Sequence, residues 1–230
     1  MIRLLTALLV ALVVAGTARA DGPVYMHLRA SPANMTREAC GRKAVAAMVA
    51  EKFPYAEVTA DGHARGWDDK TAVHIYSFQT PDPEQVMIYI FSASTIDTEA
   101  LRLRNAIRTP IYEGKDDPKT PTRIVPADGT VPTPPVSICW KTEERAATPL
   151  VKHLLPAATI VLEKRGMTTQ LQPPFLVLGV GAGGLTTVFV APASNAVMVK
   201  FNTVTMTRGD KPAEKLAEDI LSRVLKILYE

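Results

Sequence analysis

Polar functional groups are densest in the segment Asp61-Gly62-His63-Ala64-Arg65-Gly66-Trp67-Asp68-Asp69, which offers a histidine, an arginine, an indole and three carboxylates. Such groups together can hold a ligand or a metal ion, and loops that carry them serve function more often than cores do. The competing expectation is a solvated hairpin loop with Trp67 packed on a sheet. Ligand binding by Asp61, His63, Arg65, Trp67, Asp68 and Asp69 is the site hypothesis that the structure must test.

Other chemistry is harder to find. The histidines are His27, His63, His74 and His153; none pairs with another at i, i+4, and no Cys/His cluster has zinc spacing. No metal and no cofactor is therefore expected. The run Gly179-Val180-Gly181-Ala182-Gly183-Gly184 follows a strand-like segment. A phosphate cradle would then open a helix, but Leu185-Thr186-Thr187-Val188-Phe189-Val190 reads as a strand. A hairpin turn at Gly183-Gly184 fits better, with Gly179 and Gly181 leaving a close-packed strand surface. There is no G-x-S-x-G elbow. Lysine and arginine follow Cys40-Gly41 and would favour a thiolate, yet no base lies near in sequence. Glu143-Glu144 reads as the first turn of a helix rather than an acid/base pair.

These residues need elements to position them. In the first half, Val24 to Arg29 reads as a strand, and Thr36 as the cap of a helix running to about Lys52, ended by Pro54. Tyr55 to Trp67 reads as strand-like, with a turn at Asp68-Asp69. Thr71 to Gln79 and Val86 to Ser94 are strands joined by the turn residues Thr80-Pro81-Asp82-Pro83. Asp97 is expected to cap a second helix that stops before Pro110.

The second half repeats that order. Val136 to Lys141 is a strand, and a helical region closed by Gly166 follows. Phe175 to Val180, Leu185 to Ala191 and Val197 to Thr205 are strands, the last two joined at Ser194-Asn195. Asp210 opens a final helix with a broad apolar stripe at Leu216, Ile220, Leu221, Val224, Leu225 and Leu228. The expected fold is α+β: two tandem β-α-β-β-β-α units, residues 21–116 and 136–230, with helices packed on antiparallel sheets. The units either keep separate sheets or share one. Between them, residues 117–135 hold Pro118, Pro121, Pro126, Pro132, Pro134 and Pro135, and read as a semi-extended connector.

Residues 1–20 have the three parts of a secretory leader: the charged start Met1-Ile2-Arg3, an apolar stretch from Leu4 to Gly16, and Ala18-x-Ala20. The stretch is too short for a transmembrane anchor. Cleavage after Ala20 and a periplasmic or secreted mature protein are expected. In that compartment Cys40 and Cys139, the only cysteines, are expected to pair. The bridge would close a loop of roughly 100 residues and contribute about 4–5 kcal/mol. The alternative is two free thiols acting as small apolar residues.

The chain carries 26 basic and 23 acidic residues. Setting aside Arg3 and Arg19 leaves a mature net charge of about +1, which gives no field to gather nucleic acid. With a leader, two similar units and no catalytic set, the sequence points to a non-enzymatic protein that binds another envelope or secreted protein. The rivals are a small-molecule or metal binder using the 61–69 loop and an inter-domain cleft, and an enzyme without a recognisable motif.

Overall fold

The computed structural model describes residues 10–13, 25–80, 82, 84–146, 152–172, 176–181, 184–192, 198–208 and 213–229. It forms two compact units, with the division at Pro135/Val136. Each unit is an antiparallel sheet with two helices, so the chain is α+β.

In the first unit, β2 (Tyr25–Asn34) leads into α1 (Arg37–Ala50). The Thr36 side chain accepts from Ala39 N at 3.2 Å, satisfying one of the orphan donors at the helix start. The apolar positions of α1 are mostly small, so Cys40, Ala44 and Ala47 lie flush on the sheet beside Val45 and Met48. Then come β3 (Tyr55–Val58), β4 (Ala64–Trp67), β5 (Thr71–Gln79), β6 (Gln85–Ser94) and α2 (Asp97–Glu113). The region Tyr55 to Trp67 is thus a hairpin of two strands, one more than expected, because Asp61-Gly62 supplies a turn with Gly62 at positive φ. A short β7 (Arg123–Ile124) pairs with β3, a short β1 (Val10–Val13) pairs with β2, and the sheet order is β1-β2-β6-β5-β4-β3-β7.

The second unit repeats this path. It runs through β8 (Val136–Ala146), α3 (Leu154–Glu163), β9 (Thr168–Gln172), β10 (Leu176–Gly181), β11 (Gly184–Pro192), β12 (Met198–Arg208) and α4 (Ala213–Tyr229). Its sheet order, β8-β12-β11-β10-β9, matches β2-β6-β5-β4-β3 strand for strand. Both units therefore read β-α-β-β-β-β-α. The added strand β9 escaped the sequence pattern because Thr168 to Gln172 has only Leu171 as an apolar residue. The core of this unit is Leu162, Val177, Val188 and Phe201 under the α4 stripe.

Several expectations change. Cys40 and Cys139 are both free, one buried in the core of the first unit and the other on β8 of the second. The disulfide is not formed, and Cys40 behaves as the small apolar residue of the alternative. Burial pushes its thiol up to about 12. Reductant is accordingly expected to leave the melting temperature unchanged, and thiol alkylation at Cys40 to require unfolding. A melting point that falls by more than about 10 °C on reduction would restore the bridge.

Glu143 and Glu144 lie in β8 rather than a helix, paired with Arg145 and Lys200. Pairing with β12 carries the strand through them, Glu143 opposite Phe201 and Glu144 opposite Lys200, and α3 begins at Leu154. Helix α2 continues past Pro110 to Glu113, since a proline in the last turn forfeits only one ladder bond. Its first residue, Asp97, does not cap; its carboxylate accepts from His27 Nε2 at 2.7 Å instead.

The leader expectation falls outside the described residues except for β1 (Val10–Val13), whose backbone pairs antiparallel with β2. The turns at Gly183 and Ser194-Asn195 and the opening residue Asp210 also lie outside them. Among the described residues no helix is long and apolar enough to cross a membrane.

Candidate functional site

The six residues of the 61–69 segment take up β4 and both of its ends. Ala64 pairs with Ile75, which belongs to the helix-side core. By alternation His63, Arg65 and Trp67 then share the opposite face of the sheet. Gly66 points helixward, where a Cβ would sit 2.7 Å from Met48 Sδ and 2.9 Å from the Tyr55 carbonyl oxygen. Glycine is what lets α1 close on this strand.

On their face, the three side chains join Tyr55, Glu57, His74, Tyr76, Phe78 and Phe91. The His63 ring lies 4.9 Å from Tyr76 and 5.2 Å from Phe78, and its Nδ1 accepts from Ser77 N at 3.3 Å. Burial holds its pKa down to about 4, with the charge of Arg37 adding and Asp61 opposing. It is a neutral, packed imidazole at pH 7. Arg65 donates through Nε to Glu57 Oε1 at 2.7 Å, with its guanidinium 5.5 Å from the Trp67 ring. Burial raises the Glu57 carboxyl pKa, but the Tyr55 hydroxyl and Arg65 outweigh it, and the net result lies below the ordinary value. Trp67 is buried, 4.3 Å from the Tyr55 ring, and donates through Nε1 to the Pro132 carbonyl at 2.5 Å.

The carboxylates stand apart. The Asp61 carbonyl accepts from Arg37 at the β3–β4 turn. At the other end of β4, Asp68 Oδ1 accepts from Lys70 N, Thr71 N and Thr71 Oγ1 at 2.6 to 2.9 Å, which fixes the β4–β5 turn. Asp69 is exposed beside it. Five strand residues at about 3.3 Å each separate Asp68 from His63 by roughly 16 Å. The segment therefore does not converge on one point, and His63, Arg65, Trp67 and Asp68 each hold a strand pair, the connector or a turn. Among the described residues no group of three or more His, Cys, Asp or Glu is placed to hold a metal.

Gly179, Gly181 and Gly184 of the glycine run lie in an antiparallel β10–β11 pair, with Gly181 opposite Gly184. A Cβ on Gly179 would lie 3.0 to 3.1 Å from Leu162 and Met167, so this glycine admits α3 rather than a ligand. The proline-rich stretch is tied to the first sheet by Val58 N to Thr122 O (2.7 Å), by β7, and by Trp67 to Pro132.

A cluster that sequence reading missed sits on the helix side of β2. His27, Arg29 and Ser31 alternate along that strand and all face α2, where His27 meets Asp97 and Ser31 meets Tyr112. Arg104 and Arg108, one turn apart on α2, share the position with Arg29. Their i, i+4 spacing was legible. A cationic helix face, however, reads as solvated, and nothing local shows that Arg104 is 3% exposed.

No protein-family model matches the chain, and no curated protein matches it. Among solved structures, similarity was found to the di-domain ARO/CYC BexL from the BE-7585A biosynthetic pathway. Identity is 8%, covering 89% of this chain and 99% of that one, with a TM-score of 0.25. The di-domain ARO/CYC StfQ from the steffimycin biosynthetic pathway gives 6%, 87%, 97% and 0.24 in the same measures.

Proposed function

We propose that this chain is an exported, non-enzymatic protein that binds another envelope or secreted protein by accepting an extended segment of it alongside β9. One observation carries the reading: β9 is a terminal strand of its sheet with no charge, no proline and an apolar side chain in solvent. Leu171 is 52% exposed, although it sits opposite the core residue Val177 and so faces the helix side. An unpaired edge offers main-chain donors and acceptors to any added strand, and proteins that avoid such pairing put lysine, proline or bulges there.

The other edge of the same sheet has that protection. Lys141, Glu143, Glu144 and Arg145 line β8. At the far edge of the first sheet, β7 is two residues long. The remaining edge, β1, has four residues and lies within the leader-like segment, whereas β9 offers five residues, about 17 Å of ladder, with an anchor for a partner side chain. Export rests on the leader-like start of the chain.

The test places charge on that edge. Gln170 and Leu171 are both exposed, so the double substitution Gln170→Lys, Leu171→Lys should leave the melting temperature within about 3 °C of wild type. The full precursor and this variant are expressed in the native host and isolated from the non-cytoplasmic fraction. A stoichiometric partner lost in the double variant is the expected result. Retention of that partner by the variant, or a lone wild-type monomer, overturns the reading.

A further inference from the structure

We propose that Arg29, Arg104 and Arg108 form a binding site for a phosphate group, free or carried as a monoester. The three guanidinium groups come from β2 and two successive turns of α2, close enough that Arg29 and Arg108 both act on the charge of Arg104. Among the described residues none of the three has an ion-pair partner. Arg29 Nε, Arg104 Nη1 and Arg108 Nε are each enclosed with no hydrogen-bond acceptor. Arg104 is 3% exposed, and its acceptor is the neutral Asn105 Oδ1, at 3.0 and 3.3 Å.

This arrangement is costly as it stands. Arginine cannot shed its proton, and a buried cation without a counter-charge destabilises the fold that holds it. Nearby acids are engaged elsewhere. Asp97 is with His27, while Glu99 and Glu51 bind Arg102 at 2.7 to 2.8 Å. The missing component is an anion, and planar guanidinium forks suit phosphate oxygens. A dianionic phosphate also offsets more of three positive charges than a carboxylate does.

The surroundings extend the site. Arg108 lies over the Tyr112 ring at 5.0 Å, and the Tyr112 hydroxyl is fixed by Ser31 Oγ at 2.6 Å and the Ser31 carbonyl at 2.9 Å. Tyr112 also lines a cleft of about 330 Å³ with Lys43, Asn34 and Gln85. That space can take the organic part of an ester and supplies a fourth cation. The site belongs to the first unit and does not depend on strand addition at β9 in the second.

Calorimetric titration of the purified full chain with inorganic phosphate and with glycerol 3-phosphate, at ionic strength fixed by chloride, tests the proposal. Saturable one-to-one binding of at least one of them is expected, weakened by about tenfold or more in Arg104→Met and in Arg29→Gln. Binding of inorganic phosphate alone assigns the site to the free ion, and tighter binding of glycerol 3-phosphate assigns it to an ester. Arg29→Gln alters a half-buried position and keeps the test available if Arg104→Met fails to fold. Heats no larger than those of acetate, or full affinity in the folded variants, would overturn the site.

Discussion

Acidification from pH 7 to pH 4 is expected to remove on the order of 4–6 kcal/mol of folding free energy, with His74 the largest single contributor. His74 lies on β5 in the row formed by Arg65, His74 and Phe91 across three strands. Burial holds its pKa down to about 3, and the Arg65 charge pushes in the same direction. His63 is held to about 4 for the same leading reason, but it is partly exposed and its share is smaller.

The direction follows from proton counts. Below the ordinary histidine value near 6.5 the unfolded chain takes up protons that the folded chain refuses. Stability is therefore full above that value, falls as the pH drops, and levels off only near the folded pKa values of about 4 and about 3. Urea unfolding at pH 7, 5.5 and 4.5 measures the slope. His74→Leu, which leaves an uncharged side chain of similar size, should remove roughly half of it. An unchanged slope in that variant would mean that carboxylates, and not these imidazoles, control acid stability.

Trp67→Ala is expected to cost about 3–5 kcal/mol, the range for deleting a buried large aromatic side chain. The same change should release the proline-rich stretch. The indole packs at a tilt against Tyr55 with ring centroids 4.3 Å apart, receives the Arg65 guanidinium, and donates to the Pro132 carbonyl. Its loss removes both packing and one of the three ties that hold residues 117–135 against the first sheet. Limited proteolysis provides the second readout: cleavage within 117–135 should speed up relative to cleavage elsewhere. If stability drops while that stretch keeps its wild-type protection, β7 and the Val58–Thr122 bond suffice to hold it. A ligand-binding Trp67 would instead predict lost binding with little lost stability.

Much of the fold was legible because local rules and burial agree there. Thr36 precedes α1 with a hydroxyl three residues before a free N–H, so cap and helix start coincide. Thr71 to Gln79 reads as a strand by β-branched and aromatic content and is one in full. The α4 stripe Leu221, Val224, Leu225 and Leu228 is buried as its 3.6-residue period requires. The tandem organisation was visible in element order, and the two sheets share one strand sequence.

Other features depended on distant neighbours. Whether Cys40 meets Cys139 depends on where two separate units place them, and α1 carries Cys40 into the core of its own unit. Residues 61–69 look like a site because they are close along the chain. A strand, however, spreads its residues along its length and alternates them between faces, so His63 and Asp68 were bound to separate. The arginine cluster is the converse. Arg29 and Arg104 lie 75 positions apart in sequence, and the antiparallel path of β2 under α2 brings them together. What the sequence by itself determined were the period, caps and turns that define each element. Which charged side chains would be shut away from water without a counter-charge was decided by the tertiary structure, because burial is a property of elements packed together and not of any one of them.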